Sequence, residues 1–313
     1  MSEPPSTKVL FIGGWDRSGS TIVSNLIGEH ASVFSAGEVN NLWERGGVLD
    51  RPCGCGVAFS ACPVWTTVLD AAFGGLDETA ARRLWEESRS IRTIDLVARR
   101  LPGGASVAAE RISSHAAPVA AVLHAIARTQ GAELVVDASK NPSHGAVLAA
   151  APGIELYVLH LVRDVRGVTF STTRHRRYDT DEAAPVHMDR HPVARSAAIW
   201  GVWNTLLETR IPRQVSYRRV RYEDVMAAPA PFVDQVLRWC GVDPGPSPFV
   251  DDHHVRLGVN HNVAGNPSRF RSGVVELALD DEWKRAMPRW QQGAIAAALS
   301  PLLAHYGYLR RTR

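Results

Sequence analysis

The chain has 313 residues, of which 45% are hydrophobic, so it is long enough to bury a large core. Its formal net charge is only +3, which excludes the diffuse positive surface typical of nucleic-acid-binding proteins. Because no run of about 18 apolar residues occurs and residues 1–7 are polar, we expect neither a membrane span nor a secretory signal. We therefore expect a cytoplasmic protein with a flexible N-terminus at 1–7 and a single large domain over 8–313.

The first predicted element is an apolar strand at residues 8–13, which runs into a turn rich in glycine and hydroxyl groups and then into a helix. The backbone amides of this turn can point at one anion, and the positive end of the helix dipole lies beside them. The order of strand, turn and helix is therefore typical of a phosphate-binding loop. Its candidate ligands are Arg17, Ser18, Gly19, Ser20 and Thr21.

This loop departs from the common triphosphate-binding motif at one position. Gly14 and Gly19 match the outer glycines of G-x-x-x-x-G-K-[ST], but Ser20 stands where that motif has lysine. The nearest cation is Arg17. The pattern therefore predicts a site for a phosphate-like group other than the usual triphosphate.

The elements after the loop alternate between strands and helices, with glycine and proline marking the boundaries. The periodicity and the buried apolar runs first predict a short strand that ends at Gly37. Two helices follow, at 77–101 and 114–130, with a mobile turn at 103–105 between them. The pattern then predicts a strand at 133–137, a helix that Pro142 opens, and a strand at 154–162.

The second half continues the alternation after an irregular stretch at 174–191. There the sequence predicts a helix at 193–210, a strand at 215–220, helices within 222–241, a proline-rich loop at 244–248 and a last helix at 280–305. Strands that alternate with helices favour an α/β fold with a central, mainly parallel sheet flanked by helices.

A second phosphate-binding element follows the strand at 154–162. Arg163 is predicted to lie at the carboxyl end of that strand, where ligands collect in open α/β sheets, and Ser171 lies about two helical turns further on. Arginine can hold a phosphate through two parallel hydrogen bonds, and a serine hydroxyl adds a donor. The chain therefore carries two separate candidate phosphate sites.

Together these motifs resemble the sulfotransferases that use 3′-phosphoadenosine 5′-phosphosulfate (PAPS). Residues 17–21 resemble the family's 5′-phosphosulfate loop, while Arg163 and Ser171 resemble its 3′-phosphate pair. Three further motifs resemble the branch that contains bacterial and tyrosylprotein sulfotransferases: Gly37-Glu38, Asp137-Ala-Ser-Lys140 and Val220-Arg-Tyr-Glu-Asp224. The resemblance covers most of the chain and implies a P-loop-like three-layer fold, PAPS as the donor and no required metal.

The resemblance also implies roles for single residues. Glu38 corresponds to the general base, and Lys140 and Arg17 correspond to cations that stabilise the leaving phosphate. Tyr222 corresponds to a residue that contacts adenine or a donor phosphate. Arg269 corresponds to a residue that contacts the 3′-phosphate or adenine. From the residues alone, structural roles stay open: an exposed or arginine-paired glutamate, a surface lysine before a helix, and a buried tyrosine.

Two other functions remain compatible with the sequence. A P-loop kinase-like phosphotransferase would use Asp137 as its metal-binding aspartate, but it predicts lysine in place of Ser20 and needs Mg²⁺. A catalytically inactive nucleotide-binding module would keep Arg17, Arg163 and Ser171, whereas Glu38 and Lys140 would be dispensable.

The acceptor is expected to bind in the irregular segments near 44–116 and 172–200, where insertions of this kind line acceptor pockets. We expect a hydroxyl on a small molecule, a natural product or a glycolipid, with a peptide tyrosine ranked last. His160, inside an apolar strand, is predicted to be buried and hydrogen-bonded rather than catalytic, and nothing singles out an acceptor-side histidine among His175, His187 and His261. The oligomeric state cannot be read from the sequence.

Three of the four cysteines, Cys53, Cys55 and Cys62, lie in one ten-residue window. A zinc site needs four ligands, so His30 or Asp50 would have to complete it. A disulfide between Cys62 and one of the other two is disfavoured in a reducing cytoplasm. Metal ligands, a disulfide and free thiols all remain open for this segment.

Overall fold

The computed structural model describes residues 6–93, 96, 104–174, 191–211 and 215–309, with only the backbone at 104–106. Most of the predicted flexible N-terminus lies outside these ranges, as do Gly103 of the predicted mobile turn and nearly all of the irregular stretch at 174–191. The predicted acceptor-side segments are therefore described only in part.

The centre of the protein is a five-stranded parallel sheet, as the alternating pattern predicted. Its strands, in the spatial order β2-β3-β1-β4-β5, are β1 (Thr7–Gly13), β2 (Val33–Gly37), β3 (Leu134–Lys140), β4 (Ile154–Val162) and β5 (Ser216–Arg221). Every residue of β3 is buried, and so are most residues of β1 and β4, because parallel strands are covered on both faces.

Helices cover both faces of this sheet. In the described residues they are α1 (Ser20–Gly28), α2 (Pro63–Phe73), α3 (Glu78–Ser90), α4 (Gly104–Gln130), α5 (Pro142–Ala150), α6 (Val165–Thr173), α7 (Val193–Arg210), α8 (Tyr222–Ala227), α9 (Pro229–Trp239), α10 (Trp283–Ala286), α11 (Arg289–Ala298) and α12 (Ser300–His305). Within that part of the chain, no helix combines the length and the apolar character needed to cross a bilayer.

The side chains of β1 show the three-layer arrangement directly. Val9 and Phe11 pack into a core that includes residues of α4, whereas Leu10 and Ile12 pack into another core that includes residues of α1 and α9. Successive side chains of a strand point to opposite faces of the sheet, so β1 carries one helical layer on each side. The predicted three-layer α/β fold is confirmed.

Several predicted boundaries change in the structure. The helix predicted at 114–130 already begins at Gly104 and contains Pro118, so Gly104 and Ala105 are helical rather than part of a turn. The helix predicted at 280–305 is divided into α10, α11 and α12. Proline explains these breaks, because Pro288 directly precedes α11 and Pro301 opens the first turn of α12.

A small antiparallel pair was not predicted from the sequence. Its strands are β6 (His254–Leu257) and β7 (Gly273–Glu276), and between them the chain makes a long excursion that contains the short 3₁₀ turn Pro267–Phe270. The excursion reaches the carboxyl edge of the main sheet, where Val263 donates its amide proton to the carbonyl of Ala36 at 3.0 Å. This contact places a late segment of the chain beside the predicted binding loops.

Candidate active site

A cleft of about 910 Å³ opens at the carboxyl edge of the parallel sheet. Its walls come from the segments after β1, β2, β3 and β4, from α8, and from the excursion between β6 and β7. The predicted residues that line it are Arg17, Gly19, Ser20, Thr21, Glu38, Lys140, Arg163, Ser171 and Tyr222. Segments far apart in sequence therefore meet in one cleft, while Ser18 and Arg269 lie outside its lining.

The loop after β1 has the backbone geometry that an anion-binding turn requires. Arg17 and Gly19 both have a left-handed backbone, with φ of 65° and 93°. The turn directs the chain into α1, which begins at Ser20, and the first amides of a helix have no acceptor within the helix. The hydroxyl of Ser18 is buried and has no hydrogen-bond partner among the described residues. The loop can thus present several backbone donors to one anion.

Tyr222 packs against this loop and against Arg163. A Cβ added at Gly19 would lie 2.5 Å from the Tyr222 ring, and the Arg163 guanidinium carbon lies 4.7 Å from the centroid of the same ring. Burial raises the pKa of the Tyr222 hydroxyl. The tyrosine is thus mostly buried, yet it still contributes to the cleft wall and joins the two candidate phosphate sites.

Gly19→Ala is expected to lower the free energy of unfolding by more than the about 1–2 kcal/mol that a left-handed non-glycine residue costs. The additional loss arises because the new methyl group would collide with the Tyr222 ring. Gly74→Ala is the matched control, since Gly74 also has positive φ but has open space around its Cβ position. Urea unfolding of both variants measures the difference, and equal losses would contradict the proposed contact.

Arg163 is held at the end of β4 by backbone and carboxylate groups. Its Nη1 donates to the carbonyl of Arg17 at 2.9 Å, and its Nη2 donates to the carbonyl of Asp280 at 2.6 Å. The Asp280 carboxylate lies 3.1 Å from the same Nη2. Ser171 lies on α6 and lines the same cleft, so arginine and serine are available together as the sequence predicted.

Glu38 and Lys140 form an ion pair inside the cleft. The Lys140 ammonium donates to one carboxylate oxygen of Glu38, and Asn41 donates to the other at 2.7 Å. Asp16 lies 4.0 Å from the same ammonium. The two side chains are only 14% and 10% exposed, so a partly desolvated carboxylate and a cation lie side by side at the sheet edge.

Asp137 shapes the turn that holds Lys140. Its carboxylate accepts hydrogen bonds from the amide and hydroxyl of Ser139 and lies 2.7 Å from Nε2 of His144. The residue is fully buried, and both of its carboxylate oxygens have partners. Asp137 therefore does not face the cleft as a metal-binding aspartate of a kinase would, and its contacts instead fix the backbone before Lys140, whose φ is 65°.

Arg269 lies in the excursion between β6 and β7, here called the late loop, but not in the cleft lining. The residue is 1% exposed, and its guanidinium donates to the carbonyls of Gly265 and Pro52 at 2.9 and 3.2 Å. In this structure it connects two loops, and the arginine of the late loop that lines the cleft is Arg271. Sequence reasoning missed Arg271, although it lies only two positions further along the same segment.

Arg45 is a second cation of the cleft lining that was not predicted. It lies on the π-helical turn Leu42–Val48, which follows Glu38 and the 3₁₀ turn Val39–Asn41. Glu44, on the same turn, also lines the cleft. Both residues fall within the acceptor-side segment predicted near 44–116, but no sequence pattern singled them out, because the turn has no helical or strand periodicity.

His160 has the buried, hydrogen-bonded position that the sequence predicts. It is buried between the hydroxyl of Tyr217 at 2.6 Å and the amide oxygen of Asn204 at 2.7 Å, and burial lowers its pKa to about 4. This confirms a buried, hydrogen-bonded histidine away from the cleft. His175 and His187 lie outside the described residues.

The three clustered cysteines meet a histidine that the sequence analysis did not assign to them. His261 lies beside Cys53, Cys55 and Cys62, and the four potential ligand atoms are all within 4.8 Å of one another. The two earlier candidates for a fourth ligand were wrong for structural reasons. His30 contacts the carbonyl of Pro244, and the Asp50 carboxylate accepts hydrogen bonds from Ser60.

Comparison with solved structures identifies the fold. The protein is similar to a sulfotransferase domain from the curacin biosynthetic pathway, with a TM-score of 0.53 and 17% identity over 96% of this chain and 99% of that one. It is also similar to a sulfotransferase domain of the Synechococcus PCC 7002 olefin synthase, with a TM-score of 0.51 and 19% identity over 96% and 97% of the two chains. No family model and no curated protein matches the sequence. The chain thus has the P-loop-like α/β fold of these sulfotransferase domains, as the motifs predicted.

Proposed function

We propose that the protein transfers a sulfuryl group from PAPS to a hydroxyl group of an acceptor. The observation that carries this proposal is the order in which the cleft residues follow one another across the sheet. Arg163 follows β4, the anion-binding loop follows β1, Lys140 ends β3 and Glu38 follows β2. These four strands are consecutive neighbours in the sheet.

This order corresponds to the order of chemical groups in the reaction. Neighbouring strands lie about 4.8 Å apart, so β4 and β2 are separated by roughly 14 Å. A 3′-phosphate at Arg163 and Ser171 leaves the 5′-phosphosulfate over the loop after β1. The sulfuryl group then lies toward Lys140, and the acceptor hydroxyl approaches from the side of Glu38. An extended nucleotide with phosphates at both ends suits this layout.

Glu38 and Lys140 have complementary roles in the proposed transfer. The Glu38 carboxylate accepts the proton of the acceptor hydroxyl as its oxygen attacks sulfur. The bond between sulfur and the bridging oxygen breaks, and Lys140 together with Arg17 stabilises the negative charge that develops on the departing phosphate. The ion pair in the structure has a further use in this scheme, because a bound donor competes with Glu38 for the ammonium and frees a carboxylate oxygen.

The same scheme places the acceptor beside the π-helical turn Leu42–Val48. This turn supplies Glu44 and Arg45 to the cleft on the chain segment that directly follows Glu38. Polar and charged groups of both signs favour an acceptor with polar substituents around its hydroxyl. A small molecule, a natural product or a glycolipid headgroup fits this description, and the transfer itself needs neither a metal ion nor a covalent enzyme intermediate.

Arg163→Ala is expected to weaken binding of 3′-phosphoadenosine 5′-phosphate (PAP) by about 10- to 100-fold, because a hydrogen bond to a charged group contributes about 1.5–3 kcal/mol. Binding of adenosine 5′-phosphate, which lacks the 3′-phosphate, should change much less. Isothermal titration of both nucleotides into the wild type and the variant measures this selectivity directly.

Arg221→Ala provides the matched control for this experiment. Arg221 precedes Tyr222, but its guanidinium pairs with Asp224 and the carbonyl of Gly307 rather than lining the cleft. The control should keep the wild-type preference for PAP. An equal loss of affinity for both nucleotides in Arg163→Ala would show that Arg163 does not read the 3′-phosphate, and the proposed orientation of the donor would be wrong.

A further inference from the structure

The cluster of Cys53, Cys55, Cys62 and His261 has the dimensions of a tetrahedral metal site. The Cys55 and Cys62 sulfurs lie 3.8 Å apart, and Nδ1 of His261 lies 3.2 Å from the Cys62 sulfur and 3.8 Å from the Cys53 sulfur. With Zn–S of about 2.3 Å and Zn–N of about 2.0 Å, tetrahedral geometry requires separations of about 3.8 Å between sulfurs and about 3.5 Å between sulfur and nitrogen. These three separations lie close to the required values, and all four ligand atoms lie within 4.8 Å of one another.

The backbone around the first two cysteines is already shaped as a tight knuckle. Cys53 donates its amide proton to the carbonyl of Val57 at 2.8 Å, and Gly56 donates to the carbonyl of Cys53 at 2.8 Å. Gly56 has a φ of 89°, a left-handed conformation that suits glycine. The turn thus places two sulfurs on one side of the knuckle, and Cys62 reaches them from the start of α2.

Separate contacts bring the histidine to this knuckle. Gly54 donates its amide proton to the carbonyl of Asn262 at 3.0 Å, and the Trp65 indole donates to the carbonyl of His261 at 2.7 Å. A Cβ at Gly54 would lie 2.1 Å from the side chain of Asn260, so the close approach of the two segments depends on glycine. About two hundred residues of chain separate the histidine from the cysteines, yet backbone contacts align them independently of any ligand.

We propose that Cys53, Cys55, Cys62 and His261 form a structural Zn²⁺ site. Four protein ligands of this type close the coordination shell, which is characteristic of structural rather than catalytic zinc. On binding, the three thiols lose their protons to solvent and the imidazole coordinates through Nδ1 in its neutral form. A disulfide would use only two of the three sulfurs and would leave the third cysteine and the histidine without a common role.

The site would stabilise one wall of the cleft. From His261 the chain continues through Val263 and Ala264, which bond to the backbone of β2 and of Glu38, to the segment that lines the cleft between Gly265 and Arg271. On the other side of the cluster, the carbonyl of Pro52 accepts a hydrogen bond from Arg269. Zinc would thus join two loops that otherwise meet only through hydrogen bonds and packing. This inference does not depend on the proposed sulfuryl transfer.

Metal analysis of the full-length protein, purified from cells grown with added zinc, tests the proposal. We expect about one zinc per chain. In Cys55→Ser and His261→Ala, zinc content should fall well below one per chain, since each variant removes one of the four ligands that close the coordination shell. Cys240→Ser is the matched control, because Cys240 is a buried cysteine outside the cluster, and it should keep the zinc of the wild type.

Cobalt substitution adds a readout of geometry that does not rely on the variants folding. Co²⁺ added to the zinc-depleted wild type should give intense visible d–d bands of a tetrahedral site and thiolate charge-transfer absorption in the near ultraviolet. Zinc content far below one per chain together with no such spectrum would overturn the proposal. So would a native disulfide between two of these cysteines, detected by mass spectrometry after alkylation, or zinc retained equally in both ligand variants.

Discussion

Glu38→Gln is expected to lower kcat by about 10²- to 10⁴-fold, the range that general base catalysis contributes. The substitution keeps the shape of the side chain and the hydrogen bond from Asn41 to a side-chain oxygen. It removes the carboxylate that we propose accepts the proton of the acceptor hydroxyl. The affinity for PAP should not fall below that of the wild type, because the loop after β1 and Arg163 keep their contacts and glutamine no longer competes as an anion for the Lys140 ammonium. The measurement is PAP release from PAPS with an acceptor found for the wild type in a panel of hydroxyl compounds.

Glu44→Gln is the matched control for this loss. It removes a carboxylate from the same cleft but not from the ion pair with Lys140, so kcat should stay near that of the wild type even if the KM for the acceptor rises. Normal turnover in Glu38→Gln would refute the assignment of Glu38 as the base. A loss of PAP affinity as large as the loss of turnover would instead indicate that Glu38 acts in donor binding.

Lys140→Met is expected to lower kcat by about 10²- to 10³-fold, the cost typical of removing one group that stabilises charge in a transition state. Methionine keeps a long apolar stem and removes the ammonium. The contacts of Asp137 with Ser139 and His144, which fix the preceding turn, do not involve the Lys140 side chain and should remain. The effect should appear in kcat more than in the KM for PAPS, because the charge on the bridging oxygen develops only as the bond to sulfur breaks.

The double variant Glu38→Gln/Lys140→Met tests whether Glu38 and Lys140 act together or independently in turnover. Because the two side chains are in direct contact, their losses should not add, and the double variant should be less impaired than the product of the single effects. Lys284→Met, which removes an exposed lysine paired with Asp281, is the control for loss of positive charge and should be fully active. A Lys140→Met effect confined to KM would contradict the proposed division of roles. Full additivity would contradict the expected coupling between the two side chains in turnover.

The sheet and its order of elements could be predicted because each strand carries a local signal. Buried parallel strands are short, nearly continuous apolar runs, so β1, β3 and β4 could be read from the sequence with boundaries close to those observed. The β6–β7 pair could not, because strands of four residues show too little periodicity. The last predicted helix is divided at Pro288 and Pro301. The periodicity of the apolar residues alone did not reveal these breaks.

The candidate site could be predicted where a residue directly follows a strand. Arg163, Lys140 and Glu38 lie at strand ends, and parallel strands bring such positions to one edge. Contacts between distant segments gave no sequence signal. Asp280 reaches Arg163 and His261 reaches the cysteines only through the tertiary fold, and the position of Arg269 outside the cleft follows from its bonds to two backbone carbonyls.

In the cysteine cluster, too, the local spacing could be read from the sequence, whereas the ligand from a distant segment could not. The spacing of Cys53, Cys55 and Cys62 indicated a metal site that lacked one ligand, and the nearest candidates in sequence were His30 and Asp50. Both are held elsewhere by their own hydrogen bonds. The residue that completes the cluster, His261, comes from the same excursion that closes the cleft, so one segment connects the proposed structural metal to the proposed donor site.

Calorimetric titration of the wild-type protein with PAP, adenosine 5′-phosphate and ATP with Mg²⁺ tests the central claim most directly. If the cleft holds a sulfuryl donor with phosphates at both ends, PAP should bind at least about tenfold more tightly than either competitor, because only PAP carries the 3′-phosphate that Arg163 and Ser171 are proposed to hold. Tighter binding of magnesium ATP, with no preference for PAP over adenosine 5′-phosphate, would contradict sulfuryl transfer and favour a phosphotransferase.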